Sequence, residues 1–471
     1  MKNRALKYIV PIAFSLIILN SCAVVNKNYQ APATAFSEQY KDSNVTDSTT
    51  IASLKWEEII TDPILQELIR EGLENNLDLK IALENINQAQ ASLMQAKLSF
   101  LPSLEGTAQI SKSKTSQAAL NFGNIEGINL NTDSYLGQLS SSWEIDVWGK
   151  LKSSKRSALA SFLQTEAAAR AIQTQLISDI AVSYYNLLAL DEQLAIAQQT
   201  LQNRIGDQET MKYLNRSAIV DGAAVVQSEA SRYEIEASIP DIELSIQQGE
   251  NALSILLGRS PGSIERSSLT EQKAYSDLQI GLPASLLRNR PDIQEAELTF
   301  RSAFEDVNVA KSYFYPSLTI TANGGLSSLS LTGFFDNSIF YNLIGGLTQP
   351  IFAKGENKAR LKINESLQQQ AFYDYKATWL EAGEEISNAL FLYNKAKEKQ
   401  EARANQISAL EKSVEFTEAL LEYSSSTNYT DVLTTKNNLL SAQLNGVSDK
   451  LQELQAVVQL YRALGGGWLN N

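Results

Sequence analysis

Residues 75–104, NNLDLKIALENINQAQASLMQAKLSFLPSL, and residues 289–318, NRPDIQEAELTFRSAFEDVNVAKSYFYPSL, align without a gap when the chain is shifted against itself by 214 positions. Asn75, Asp78, Ala82, Ala89, Ala96, Lys97, Phe100, Pro102, Ser103 and Leu104 meet identical residues at Asn289, Asp292, Ala296, Ala303, Ala310, Lys311, Phe314, Pro316, Ser317 and Leu318. So many identities in thirty ungapped positions predict one duplicated unit, hence the same element order twice. In the first copy a helical pattern from about residue 64 to 100 ends at Leu101-Pro102, because proline cannot continue a helix. An apolar–polar alternation starts immediately after each proline.

That alternation predicts two hairpins. Leu104, Gly106, Ala108 and Ile110 form one apolar row, and Tyr135, Gly137, Leu139, Trp143, Ile145 and Val147 return it, with polar residues between. In the second copy Leu318, Ile320, Ala322 and Gly324 alternate with Thr319, Thr321 and Asn323, and a return strand runs from about 339 to 349. The hairpins therefore occupy about 103–148 and 317–350. Strands of about 9 to 11 residues cross a tilted bilayer path, and Trp143 and Tyr341 suit its interfacial belts. The alternative is a soluble sheet covering the helices. Four strands cannot close on themselves and open edges are not tolerated in hydrocarbon, so the membrane reading requires several chains. Two chains make a barrel filled by its own side chains, whereas three make twelve strands with room for a passage.

The remaining sequence is helical. Leu176, Ile180, Ser183, Leu187, Leu190, Leu194, Ala197 and Leu201 repeat at steps of four and three. Leu433, Asn437, Leu440, Leu444, Val447, Leu451, Leu454, Val458 and Tyr461 keep the same rhythm, as do Ile235, Ile239, Ile242, Ile246, Leu253 and Leu256. Such seams specify helices packed lengthwise. Residues 151–214 and 356–422 contain no proline, enough for helices of roughly 100 Å. The expected fold class is all-α with membrane β: a trimeric twelve-stranded β-barrel, four strands per chain, continued by a long periplasmic α-helical barrel. Expected segments are a signal peptide (1–21), a lipidated extended segment (22–62), the first repeat (63–260), a linker (261–285) and the second repeat (286–471).

Lys2, Arg4 and Lys7 precede an apolar run from Tyr8 to Leu19 and then Asn20-Ser21-Cys22, the layout of a secretory signal too short to remain as a membrane helix. Leu19-Asn20-Ser21-Cys22 resembles a lipobox, in which Cys22 becomes the acylated first residue; the alternative is an ordinary cleaved signal. No intrachain disulfide is possible with one cysteine. Acyl chains hold a protein to the outer membrane without making a path through it. The net charge of −13 becomes about −16 without the three basic signal residues, which argues against nucleic acid. With no histidine and one cysteine, the usual nucleophile–base pairs and transition-metal sites cannot be built, so neither enzyme activity, nor cofactor, nor metal site is expected. Paired carboxylates such as Glu384-Glu385 read as a solvated helix face rather than a catalytic site.

Specific strings then resemble one family. Ser142-Trp143-Glu144-Ile145-Asp146-Val147-Trp148-Gly149-Lys150 is similar to the second-strand signature of outer-membrane efflux lipoproteins of the TolC/OprM type. Leu282-Pro283-Ala284-Ser285-Leu286-Leu287-Arg288-Asn289-Arg290-Pro291-Asp292-Ile293 resembles the start of that family's second repeat, Gln349-Pro350-Ile351-Phe352 its second barrel exit, and Gly465-Gly466-Gly467-Trp468 its ending. The resemblance runs from about Trp56 to Trp468. It implies a homotrimeric duct working with a periplasmic membrane-fusion adaptor and an inner-membrane pump of the resistance-nodulation-division class. Each motif also has a plain structural role: Trp143, Asp146, Trp148 and Pro350 mark the barrel-to-helix corners, where Gly149 and Gly355 permit the tight passage. The resemblance further implies a periplasmic gate at Tyr429, Thr430, Asp431 and Thr434. Asp431 matches one of the family's gate acids and Thr434 replaces the other; equally, Asp431 could cap the last helix, as Asp221 is expected to cap its counterpart. Rival readings are a type I exit duct for proteins and a structural coiled-coil lipoprotein. Organic compounds are the expected cargo, because soft and imidazole metal ligands are scarce.

Overall fold

The computed structural model describes residues 27–32, 54–119, 130–275, 289–423 and 428–468. The predicted signal, Cys22, residues 282–288 and the turn at 424–427 lie outside the described residues. Two compact units result: one comprises 1–33, 86–165 and 296–375, the other 34–85, 166–295 and 376–471.

Twelve elements carry the argument: α1 (Trp56–Ile59), α2 (Pro63–Asn75), α3 (Leu77–Leu98), β1 (Ser103–Lys114), β2 (Asn131–Ile145), α4 (Lys150–Arg216), α5 (Gly222–Leu256), α6 (Pro291–Ser312), β3 (Ser317–Ser328), β4 (Ile339–Thr348), α7 (Glu356–Tyr423) and α8 (Tyr429–Ala463). Helix, hairpin, long helix and helix thus occur twice in the same order. Lengths also match: 22 residues each for α3 and α6, 67 and 68 for α4 and α7, 35 each for α5 and α8. A rise of 1.5 Å per residue makes the long helices about 100 Å.

One expectation needs correcting. The helix read from residue 64 to 100 is two helices, broken at Asn76, whose backbone turns extended (φ −55°, ψ 132°). Its N–H ends α2 on the Gly72 carbonyl, while its side-chain oxygen accepts from the Leu79 N–H to start α3. Its amide nitrogen donates to the Leu256 carbonyl at 2.9 Å. Asparagine offers the backbone an alternative to the helical hydrogen bond, and here three partners fix that alternative.

In the helical unit the seam of α4 is core: Leu176, Ile180 and Leu187 are buried, as are Leu454, Val458 and Tyr461 of α8. Asp62, the N-cap of α2, is buried and accepts from Tyr184, Gln272 and Ser267 as well as from the Ile64 and Leu65 N–H groups. Burial opposes its ionisation, but the hydrogen bonds from Ser267, Tyr184, Leu65 and Gln272 outweigh that and hold its carboxyl below the usual range. At the start of α6, buried Arg290 donates to the Ala463 carbonyl (2.7 Å) and to the carboxylates of Asp292 (2.6 Å) and Glu385 (2.8 Å), tying α6, α7 and the end of α8 together.

In the other unit, the strands form one antiparallel sheet in the order β1-β2-β3-β4. Directly paired residues share a face. Leu104, Ala108 and Ile110 therefore lie on the same side as Tyr135, Leu139, Trp143 and Ile145 of β2, Leu318, Ile320 and Leu326 of β3, and Ile339, Tyr341, Leu343 and Leu347 of β4. Opposite lie Glu105, Thr107, Gln109, Gln138, Ser140, Thr319, Thr321, Asn323 and Asn342. Among the described residues the apolar side is left uncovered: Ile110, Ile339, Tyr341 and Leu343 are all exposed, Tyr341 at 88%. A sheet laid over its own helices would hide that side, so its exposure favours the membrane reading over the soluble-sheet alternative.

Candidate functional site

The signature at the first strand-to-helix corner is a set of caps and props. The Trp143 indole N–H donates to the Phe100 carbonyl at 2.9 Å, fixing the end of β2 against the chain two residues before Pro102. Asp146 accepts from the N–H groups of Leu151 (3.0 Å) and Lys152 (2.9 Å), so a carboxylate occupies the positive end of α4. The Trp148 ring stacks on Tyr315 at 4.9 Å between centroids, and its N–H donates to the Pro316 carbonyl at 2.7 Å. Glu144 pairs with Lys150 at 2.8 Å. Gly149 makes the turn at φ +75°, where an L side chain is strained.

At the second corner Gly355 has φ +84° and the preceding Lys354 φ +50°. Pro350, Ile351 and Phe352 leave the sheet, but Ile351 and Phe352 are 99% and 85% exposed. Asn357 of α7 donates to the Tyr313 carbonyl at 2.9 Å, and Arg360 lies 3.9 Å from the Tyr313 ring centroid.

At the start of α8 the expected gate residues separate. Asp431 is exposed and forms a capping box with Asn428: its N–H donates to Asn428 Oδ1 (3.1 Å), and its carboxylate accepts from the Asn428 N–H (3.3 Å). Thr430 and Thr434 are also exposed, Thr434 donating to the Thr430 carbonyl at 2.7 Å. Tyr429 faces the other way, buried with Met211 and Leu433 against Leu214, Val220, Val225 and Leu421. Burial raises its phenol to about 12. Asp221 caps α5 by accepting from the Ala224 N–H at 3.0 Å.

Sequence reading missed the polar cluster beneath this turn. Arg204 of α4 is only 1% exposed and donates to Asn437 of α8 at 2.6 Å. Lys436 bridges Asp207 and Glu418, both at 2.6 Å. A signal existed: continuing the α4 seam past Leu201 by steps of three, four and three reaches Arg204, Gln208 and Met211, all buried. A polar residue inside an apolar seam, like Asn437 in the α8 seam, points to a buried polar partner.

Among the described residues no helix is long and apolar enough to cross a membrane. The described feature that suits such a setting is the four-stranded sheet with one exposed apolar face.

Comparison with known proteins agrees. The family described as "Outer membrane efflux protein" matches residues 68–259 and 282–466. The cation efflux system protein CusC of Escherichia coli O157:H7 is 28% identical over 461 residues, covering 96% of this chain and 97% of the relative. The antibiotic efflux pump outer membrane protein ArpC of Pseudomonas putida is 28% identical over 475 residues, covering 98% and 96%. The solved structure of CusC superposes with a TM-score of 0.82 at 28% identity, over 94% of this chain and 99% of that one. With a family match over most of its length, the chain belongs to the outer membrane efflux proteins.

Proposed function

We propose that three copies of this chain close one twelve-stranded barrel, and that their helices line the tunnel of a passive exit duct in a tripartite efflux system. The observation that carries this reading is the exposed apolar face of a four-stranded sheet whose edges, β1 and β4, have no partner strand among the described residues. Hydrocarbon accepts the face but not the edges, so the edges need neighbouring copies. The polar face then lines the passage. Exposed apolar side chains on α7, among them Ile363, Leu367 and Phe391, give neighbouring helices something to cover. The matching halves, 63–260 and 286–471, are read as one duplicated unit joined by the linker 261–285. Acylation of Cys22 holds the mature chain to the outer membrane.

A periplasmic adaptor and an inner-membrane pump of the resistance-nodulation-division class complete the assembly. Relatives at equal identity are named for cation and for antibiotic efflux, so the pump rather than the duct selects the cargo, with small organic compounds as the cargo assigned to this chain. Asp431, Thr430 and Thr434 are exposed on one turn of α8; three copies of Asp431 near the axis crowd negative charge, so it narrows the tunnel while also capping its helix.

Conductance of the purified protein in a planar bilayer tests this. A trimer by native mass with small conductance in wild type and severalfold larger conductance in Asp431→Ala is expected. Unchanged conductance in the variant removes the gate and leaves the duct, whereas a monomer that conducts nothing removes the duct.

A further inference from the structure

The described residues just after the signal do not hang free. Tyr29 packs on Phe300 and Phe304 of α6, with centroids 5.9 and 5.7 Å apart, and Phe300 continues to Phe372 of α7 at 5.7 Å. The Arg301 guanidinium lies 5.5 Å from the Tyr29 ring centroid, and the Tyr29 hydroxyl donates to Glu297 at 3.3 Å. Burial first, then the Glu297 carboxylate, raises the Tyr29 phenol well above its ordinary range. Two residues earlier, the Lys27 carbonyl accepts from Asn308 Nδ2 at 3.2 Å, and Asn308 is itself 1% exposed.

Glu297, Phe300, Arg301, Phe304 and Asn308 follow the spacing of a single helix face. Tyr29 sits on its first two turns and Lys27 near its last, so the segment runs antiparallel to α6, with its earlier residues toward β3. Cys22 lies five residues before Lys27, a reach of at most about 17 Å. A buried asparagine whose amide donates both to Glu305 (3.3 Å) and to the tether's backbone, and an aromatic socket that takes the Tyr29 ring, form a built site.

We infer that residues 27–29 are a clasp and that Tyr29 is a positioning residue: docked on α6, it fixes where the acylated N-terminus meets the membrane, beside the β3 end of that helix, and so registers the lipid anchor with the sheet that must insert. This role rests on the reading of Cys22 as the acylated residue.

The test uses the full chain, with its own signal, in a bacterium with an outer membrane. Variants are Tyr29→Ala, Tyr29→Phe, and a tether lengthened by ten glycine and serine residues between Cys22 and Lys27, which leaves the clasp intact. The mass of the N-terminal peptide reports acylation, the trypsin cleavage rate after Lys27 in native membranes reports docking, and the heat-modifiable assembled fraction reports insertion. Tyr29→Ala is expected to keep the acyl mass, to be clipped about tenfold faster and to assemble severalfold less. Tyr29→Phe, which keeps the ring contacts, should follow wild type. The lengthened tether should reproduce the assembly loss while Lys27 stays slow to clip. Wild-type assembly in Tyr29→Ala, or in the lengthened tether, overturns the clasp. Absence of the acyl mass from the wild-type peptide overturns the anchor reading beneath it, a separate failure.

Discussion

The two strand-to-helix corners occupy equivalent places in the two halves of the chain and end differently. In the first, Trp148 stacks on Tyr315 and donates to the Pro316 carbonyl, so the exit of β2 is sealed against the start of β3 within one chain. In the second, Ile351 and Phe352 follow β4 into open surroundings, and Leu101, before β1, is exposed as well. Leu101-Pro102 corresponds to Tyr315-Pro316 under the 214-residue shift. What the first corner completes internally, the second leaves as two halves on opposite edges of the same sheet. In the proposed trimer, a neighbouring copy that pairs its β1 with this β4 would bring them together, a head-to-tail contact able to close into a ring.

The sheet registers make that pairing specific. Shifting β1 by 214 and β2 by 206, the offset between Gly149 and Gly355, turns the first hairpin's pairs from Ser103↔Ser142 to Lys112↔Asp133 into the pairs of the second: Ser103↔Ser142 becomes Ser317↔Thr348, and Gly106↔Leu139 becomes Ile320↔Gly345. The same shifts applied between β2 and β3 turn Ser141↔Ala322 into Leu347↔Ala108 and Gly137↔Leu326 into Leu343↔Lys112, now between copies. Leu347 and Ala108 each belong to the apolar face, so a barrel shared in this register would keep one side for lipid.

Substitutions should therefore separate folding from assembly according to the corner they touch. Trp148→Ala is expected to lower the unfolding free energy of the chain by about 2 to 4 kcal/mol in urea titrations, because it removes an intrachain stack and hydrogen bond. Phe352→Ala should stay within about 0.5 kcal/mol of wild type by that measure and instead reduce the yield of native trimer. A large fall in chain stability with Phe352→Ala would erase the contrast. Asp146→Ala should cost about 1 kcal/mol by uncapping α4, whereas the second corner has Phe352 at the aligned position and no such carboxylate to lose. Gly149→Ala and Gly355→Ala should each cost about 1 kcal/mol through their positive φ, the one respect in which the corners behave alike.

Periodic parts of this molecule were legible because burial imposed the period. The strands alternate since one face meets an apolar phase, and the long helices carry seams since neighbours pack along them. The break at Asn76 was not legible, because one extended residue inside an amphipathic pattern leaves the pattern intact. The motif groups Tyr429 with Thr430, Asp431 and Thr434, although its ring belongs to the Met211 cluster and only the others reach the surface. Asp431 could be read as gate or cap; the structure shows the cap through Asn428, which the sequence also contained. Arg204 escapes a seam defined by apolar residues alone, although an arginine in register with the seam is the informative exception.

The central claim, that β4 of one copy pairs with β1 of the next in the register of the internal repeat, is tested most directly by a cysteine pair. Leu347→Cys with Ala108→Cys places two thiols at a cross-strand distance that a disulfide spans. Mild oxidation in native membranes is predicted to give a covalent ladder ending at three linked chains that resist boiling, while Leu347→Cys with Ile110→Cys, one pair off, links far less. Efficient linkage of the offset pair, or linked dimers that never extend to three, would contradict it.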